Sequence, residues 1–188
     1  MQKAEIIKEV FECIADGNVE KGKDIIEKKY EFSFIEPQKR NYTIKQKMET
    51  FLRDGFIDRY SGERLLNPGV LKVISTVCPS EFPCHPHWKM SASHIAYWEL
   101  FPTIDHIYPV ARGGADEPDN WVTTSMLHNQ VKNNWTLEQL NWTLHDGGDI
   151  NEWDGLTSLF VDFISRSPEL LKDTYINNWF RISSQLIG

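Results

Sequence analysis

No run of eighteen apolar residues occurs in this chain, so hydropathy gives no membrane-spanning helix. Cysteine is scarce. The three present, Cys13, Cys78 and Cys84, are an odd number at irregular spacing, which excludes a closed disulfide framework and fits a reducing compartment. Signal-peptide character is also missing, because Met1–Asp16 is a charged amphipathic run where an apolar segment would stand, and the expected location is cytoplasmic. Basic residues are outnumbered, 20 Lys and Arg against 27 Asp and Glu, for a formal net charge of −7. That balance is unfavourable for a polyanion binder, since phosphate affinity comes largely from clustered cations. What remains is a chain of 188 residues, long enough for one compact domain with a helical appendage.

The charge is unevenly placed. From Lys28 to Arg53 seven Lys and Arg stand against three Glu, whereas between Lys132 and Arg166 there is no Lys or Arg and there are six Asp and Glu. Lys39, Arg40, Lys45 and Lys47 are therefore the expected nucleic-acid contacts, and Tyr30, Phe32, Phe34 and Tyr42, interleaved with the basic run, are candidate aromatic contacts. Apolar spacing predicts helices over 3–15, 19–30 and 42–53, the last stopped by Asp54-Gly55. Residues 56–60 and 64–66 read as a strand pair, 70–77 as strand or helix, and 78–88 as a proline-rich loop before a helix at 91–100. Thr103–Ile107 and Trp121–Thr124 read as strands, with Ser125 as N-cap of a helix through Asn133. Thr136 and Gln139 form a capping-box pattern, and two amphipathic helices follow at 153–165 and 168–184. The organisation expected is a helical, partly basic region over 1–53, a core over 54–140 and C-terminal helices over 141–188.

Within 103–138 the residue types suit one chemistry. Asp105 beside His106, at the end of a short strand, offers a carboxylate for a hard cation and an imidazole that can take a proton from water. Pro109, Gly113-Gly114, Asn120, Asn129 and Lys132 follow in order. This array resembles the HNH, or ββα-metal, endonuclease family, in which Asn follows the His by fourteen residues and a His or Asn comes nine further on. His106, Asn120 and Asn129 keep both spacings.

The resemblance implies an α+β fold with a ββα-metal core and hydrolysis of DNA phosphodiester bonds to 5′-phosphate and 3′-hydroxyl ends, of the kind used in restriction or phage defence. It implies Mg²⁺, with Mn²⁺ able to substitute, on Asp105 and Asn129, with His106 as base. Asn120 is expected to bond across to the His106 backbone, and Lys132 or Arg112 to stabilise the transition-state phosphate. Where the family often has His, this chain has Asn129, with His128 one residue earlier. Since a helix turns about 100° per residue, Asn129 and Lys132 share a face and His128 points aside, which makes it the second choice of ligand.

Structural zinc would need Cys78, Cys84, His85, His87 and His94 at unfamiliar spacing, because no Cys-x-x-Cys is present. Trp88, Tyr97, Trp98, Trp121, Trp135 and Trp142 read as core rather than as base-stacking platforms. Two other functions share the motif: an HNH ribonuclease or toxin-like nuclease, and a nucleic-acid-binding module whose nuclease core has decayed. Oligomeric state stays open, a homodimer included.

Overall fold

The computed structural model describes residues 2–36 and 40–187, so the expected contact at Lys39 lies outside the described residues. Contacts divide the chain into two units, 1–36 and 37–188. In the first, α1 (Lys3–Ala15) pairs with α2 (Val19–Lys29), and Ile6, Val10 and Cys13 pack on Ile25. The Asn18 side chain accepts from Lys21 N and opens α2. Among the described residues no helix is long and apolar enough to cross a membrane.

The second unit is α+β. Its first helix, α3 (Ile44–Arg53), starts at a reciprocal capping box between Thr43 and Gln46. The sequence grouped this helix with the N-terminal region, but Met48 and Phe51 are fully buried against Phe56, Trp121, Ile176 and Trp179. Residues 70–77, open between strand and helix in the sequence, lie in α4 (Pro68–Val77), because Asn67 caps the Gly69 amide and Pro68 fills the first helical position. After the short α5 (Ala96–Glu99) come β1 (Pro102–His106) and β2 (Trp121–Ser125), antiparallel with Ile104 opposite Thr123 and His106 opposite Trp121. Helix α6 (Met126–Lys132) follows directly, capped by Ser125, giving a β-β-α order. The chain then runs through α7 (Leu137–Leu140), α8 (Thr157–Arg166), a 3-10 turn at Pro168–Lys172 and α9 (Thr174–Ile187). The expected helix from 168 is thus broken at Asp173, whose carboxylate accepts from Tyr175 N and Ile176 N to start α9 afresh.

Residues 56–66 are not the expected strand pair. They meet in a single bridge, Ile57 with Arg64, closed by bonds from Asp58 N to Glu63 O and from Leu65 N to Phe56 O. Beside it the Arg59 amide and the Asp58 carboxylate turn to the free edge of β2, joined there by Asp54. Asp54 Oδ2 accepts from Thr123 N at 2.7 Å, Arg59 N donates to Thr123 O at 2.9 Å, and Asp58 Oδ2 accepts from Ser125 N at 2.9 Å. Two buried carboxylates thus take the place of strand carbonyls. Asp54 is neutralised by Arg53 and Arg59, with Arg59 Nη1 at 3.0 Å. Asp58 also accepts from Tyr60 N, Thr124 Oγ1 and His128 Nδ1.

Burial alone would raise the Asp58 pKa, but the amides of Ser125 and Tyr60 and the His128 ring outweigh it and hold the carboxyl below its usual range. A depressed carboxylate adds stability that is present above the unfolded-state value, about 3.9, and is lost as pH falls through the folded value. Asp58→Asn is therefore expected to cost about 3 kcal/mol in urea unfolding at pH 7 and to flatten the loss of stability below about pH 4. An equally steep acid slope in the variant would count against this role.

Candidate active site

Asp105 and His106 are consecutive on β1, so their side chains leave opposite faces of the hairpin. Asp105 faces α6. Its Oδ2 accepts from Tyr60 Oη at 2.8 Å and pairs with Lys132 Nζ at 2.8 Å. Lys132 is 0 % exposed, and its ammonium also donates to the His106 carbonyl at 2.7 Å and lies 5.6 Å from the Tyr60 ring centroid. Burial, followed by the charge and hydrogen bond of Asp105, pushes the Tyr60 hydroxyl far up, so it stays a donor.

His106 faces α3. Its Nε2 lies 2.8 Å from Asp116 Oδ1 and 3.3 Å from Tyr42 Oη. The same Asp116 oxygen accepts from Tyr42 Oη and from Trp121 Nε1, each at 2.8 Å. Partial burial would raise the Asp116 pKa, but the bonds from His106, Tyr42 and Trp121 prevail and hold it low. An ionised carboxylate only accepts, so the proton between the two groups sits on Nε2, and in the neutral imidazole Nδ1 is left as the basic atom. Beside this cluster Tyr42, Gln46, Glu49, Arg53, Asp116 and Trp121 line a cleft of about 510 Å³.

The connection between the strands is pinned by Asn120. Its Oδ1 accepts from Tyr108 N at 2.9 Å, and its Nδ2 donates to the carbonyls of Tyr108 and Ala115. The expected partner was the His106 backbone, but the lock falls two residues later, and Lys132 holds the His106 carbonyl instead. The glycine pair has a local reason. Gly113 adopts φ +93° at the end of a 3-10 turn (Val110–Arg112), and a Cβ on Gly114 would collide with the Tyr108 carbonyl that Asn120 also holds.

On α6, Asn129 and Lys132 share the face over β1. Asn129 Nδ2 donates to Thr103 Oγ1 at 2.9 Å and to Ile104 O at 3.3 Å. Thr103 Oγ1 gives its own proton to Thr124 O, and a carbonyl only accepts, so both neighbours require the amide nitrogen and Oδ1 points away from the strand. His128 is on another face, on Asp58 at 2.7 Å and edge-on to Trp142. Arg112 is exposed, donating to Asn134 O and lying 5.4 Å from the Trp135 ring centroid.

The structure thus brings Asp105, Lys132 and the His106 backbone together, with Asn129 on the same side of β1 against Thr103, while the His106 ring, His128 and Arg112 sit with other partners. Asp116, Tyr60 and Asp58 were not singled out as site residues from the sequence. Tyr42, read as a nucleic-acid contact, is half-buried on Asp116. Arg40 and Lys45 are exposed, Lys45 lying 3.7 Å from Glu49, and Lys47 lines a cleft with Trp88, Phe101 and Tyr175. Trp98, Trp121 and Tyr97 are core as expected, whereas Trp135 is half exposed at 50 %. Near the proline-rich loop, Cys78 is exposed and His94 stacks on Phe82.

Among the described residues no three His, Cys, Asp or Glu side chains converge as a metal group, so a cation here would rest on one carboxylate plus amide and water oxygens. The donor set suits Mg²⁺, which favours oxygen and keeps several waters. Asp105 Oδ1 and Asn129 Oδ1 have no hydrogen-bond donor among the described residues and belong to side chains on the same face of β1. Comparison with protein-family models, with curated proteins and with solved structures found no match.

Replacing Asn120 by Ala should loosen the connection without unfolding the hairpin. Amide exchange at Tyr108 is expected to accelerate about tenfold, about 1.4 kcal/mol for the lost bond, with exchange at Thr123, which Asp54 holds, unchanged. Equal acceleration at both amides would mean that Asn120 supports the whole sheet.

Proposed function

We propose that the chain is a divalent-metal-dependent endonuclease that hydrolyses DNA phosphodiester bonds. The observation that carries this reading is the register of α6 on β1, with Asn129 over Thr103 and Lys132 on Asp105, one residue before a histidine whose ring is oriented by a carboxylate. Asp105 and Asn129 would hold the cation, which when bound supplies charge neutralisation at the phosphate and at the leaving oxygen.

The chain's own groups do the rest. Asp116 holds His106 by Nε2 and so presents Nδ1 to a water, which gives up its proton there as its oxygen attacks phosphorus. The bond from phosphorus to the 3′-oxygen breaks, and that oxygen takes a proton from solvent, leaving 5′-phosphate and 3′-hydroxyl ends. Because Asp105 and His106 flank the end of β1 from opposite faces, the phosphate must lie across that end. Asn120 keeps the neighbouring connection in one conformation, and Arg112, exposed beside it, supplies a phosphate contact. Arg40, Lys45 and Lys47 supply further cations for the polyanion, with a role in restriction or phage defence following from the resemblance alone.

A second reading, a nucleic-acid-binding module without chemistry, is favoured by the ammonium of Lys132 seated on Asp105. The two part in a cleavage assay of the full chain on supercoiled plasmid, single-stranded DNA and RNA, with Mg²⁺, Mn²⁺ or chelator. Metal-dependent nicking is expected, and His106→Ala should lower the rate by at least about 100-fold, the usual worth of a general base. A His106→Ala variant keeping more than about a tenth of the rate would remove the base assignment. Cleavage of RNA alone would move the substrate class, and metal-dependent binding without cleavage would favour the second reading.

A further inference from the structure

Lys132 is the last residue of α6, and its neighbours Val131 and Asn133 are exposed while its own side chain is 0 % exposed. A carboxylate buried without a counter-charge is strongly unfavourable, so the free protein needs a cation on Asp105, and Lys132 provides one. A divalent ion on the same carboxylate would place a second positive charge beside the ammonium in a setting that screens poorly. Both cannot stay. Asn133 follows with φ +46°, ending the helix at once, and the long Lys132 stem can therefore reach solvent without disturbing a further turn.

We propose that Lys132 is a resident counter-ion which a divalent cation displaces from Asp105, and that the released ammonium moves to the phosphodiester. This rests on the nuclease reading and adds regulation to it: cation and nucleic acid bind cooperatively, because the phosphate accepts the charge that the cation expels. The sparse donor set then holds its cation more weakly in the free protein than with substrate bound.

Two measurements test it, both on the full chain. In the native sequence, amine-reactive labelling read by mass spectrometry should find Lys132 protected without metal and labelled at saturating Mn²⁺. In the His106→Ala background, which should not cut, Mn²⁺ titration followed by electron paramagnetic resonance should show tighter binding after Lys132→Met, by about tenfold. A short DNA duplex should tighten Mn²⁺ binding by about 5–150-fold when Lys132 is present and by little when it is absent. If Lys132→Met does not fold, the labelling decides.

Asp105→Asn separates the two levels. Mn²⁺ binding that depends on Asp105, with Lys132 still protected or with equal affinity after Lys132→Met, overturns the displacement and leaves the nuclease reading standing. Mn²⁺ binding indifferent to Asp105→Asn overturns the metal site itself, and the displacement with it.

Discussion

A two-stranded antiparallel sheet is marginal by itself, and the free edge of β2 would leave the Thr123 and Ser125 amides unpaired inside the protein. Asp54 and Asp58 remove that difficulty by bringing two buried carboxylates to the edge, while Arg59 supplies the missing amide. With the edge closed, β2 is fixed against α3, β1 is fixed by its ladder to β2, and α6 starts where Ser125 turns out of the sheet. The same Asp58 reaches His128 in the first turn of α6, which sets the rotation of that helix and so places Asn129 and Lys132 over β1. The candidate site thus depends on two aspartates that lie outside it.

A buried ion pair is a poor way to stabilise a core. Removing both charges at such a site is often neutral or favourable, whereas removing one partner costs about 3–5 kcal/mol. Asp105 with Lys132, buried beside Tyr60, is therefore weak as a support, and on the proposed nuclease reading it is kept for chemistry. Around His106 and Asp116 three donors converge on one carboxylate oxygen, which fixes a tautomer of a buried ring against a partly exposed acid. The hairpin end carries two polar clusters on opposite faces, joined through the His106 backbone.

The features legible in the sequence were those written in local spacing. Ser125 as a cap, the Thr136–Gln139 box, the two short strands and the shared face of Asn129 and Lys132 depend on neighbours within a few residues. The chemistry of Asp116 was not legible, since its partners Tyr42 and His106 are distant in sequence and a lone acid in a loop has no periodicity. Residues 56–60 looked like a strand because their apolar content is that of a buried segment. The clue that they were not lay in Asp54 and Asp58, carboxylates four apart among buried residues, which the interior accepts only if they replace some other acceptor. Helix α3 was assigned to the wrong neighbours for a related reason: Lys45, Glu49 and Arg53 share one face, and Met48 and Phe51 on the other already pointed to a core.

The claim that Asp105 and Lys132 are kept for function is tested most directly by denaturant unfolding in metal-free buffer of the Asp105→Asn/Lys132→Met double variant beside each single variant. Asn keeps an oxygen for Tyr60, and Met keeps the volume of Lys. The double variant is expected to unfold within about 1 kcal/mol of the wild type or above it, with Lys132→Met alone about 3–5 kcal/mol below. A double variant as unstable as that single one would contradict the claim and make the pair a structural element of the hairpin.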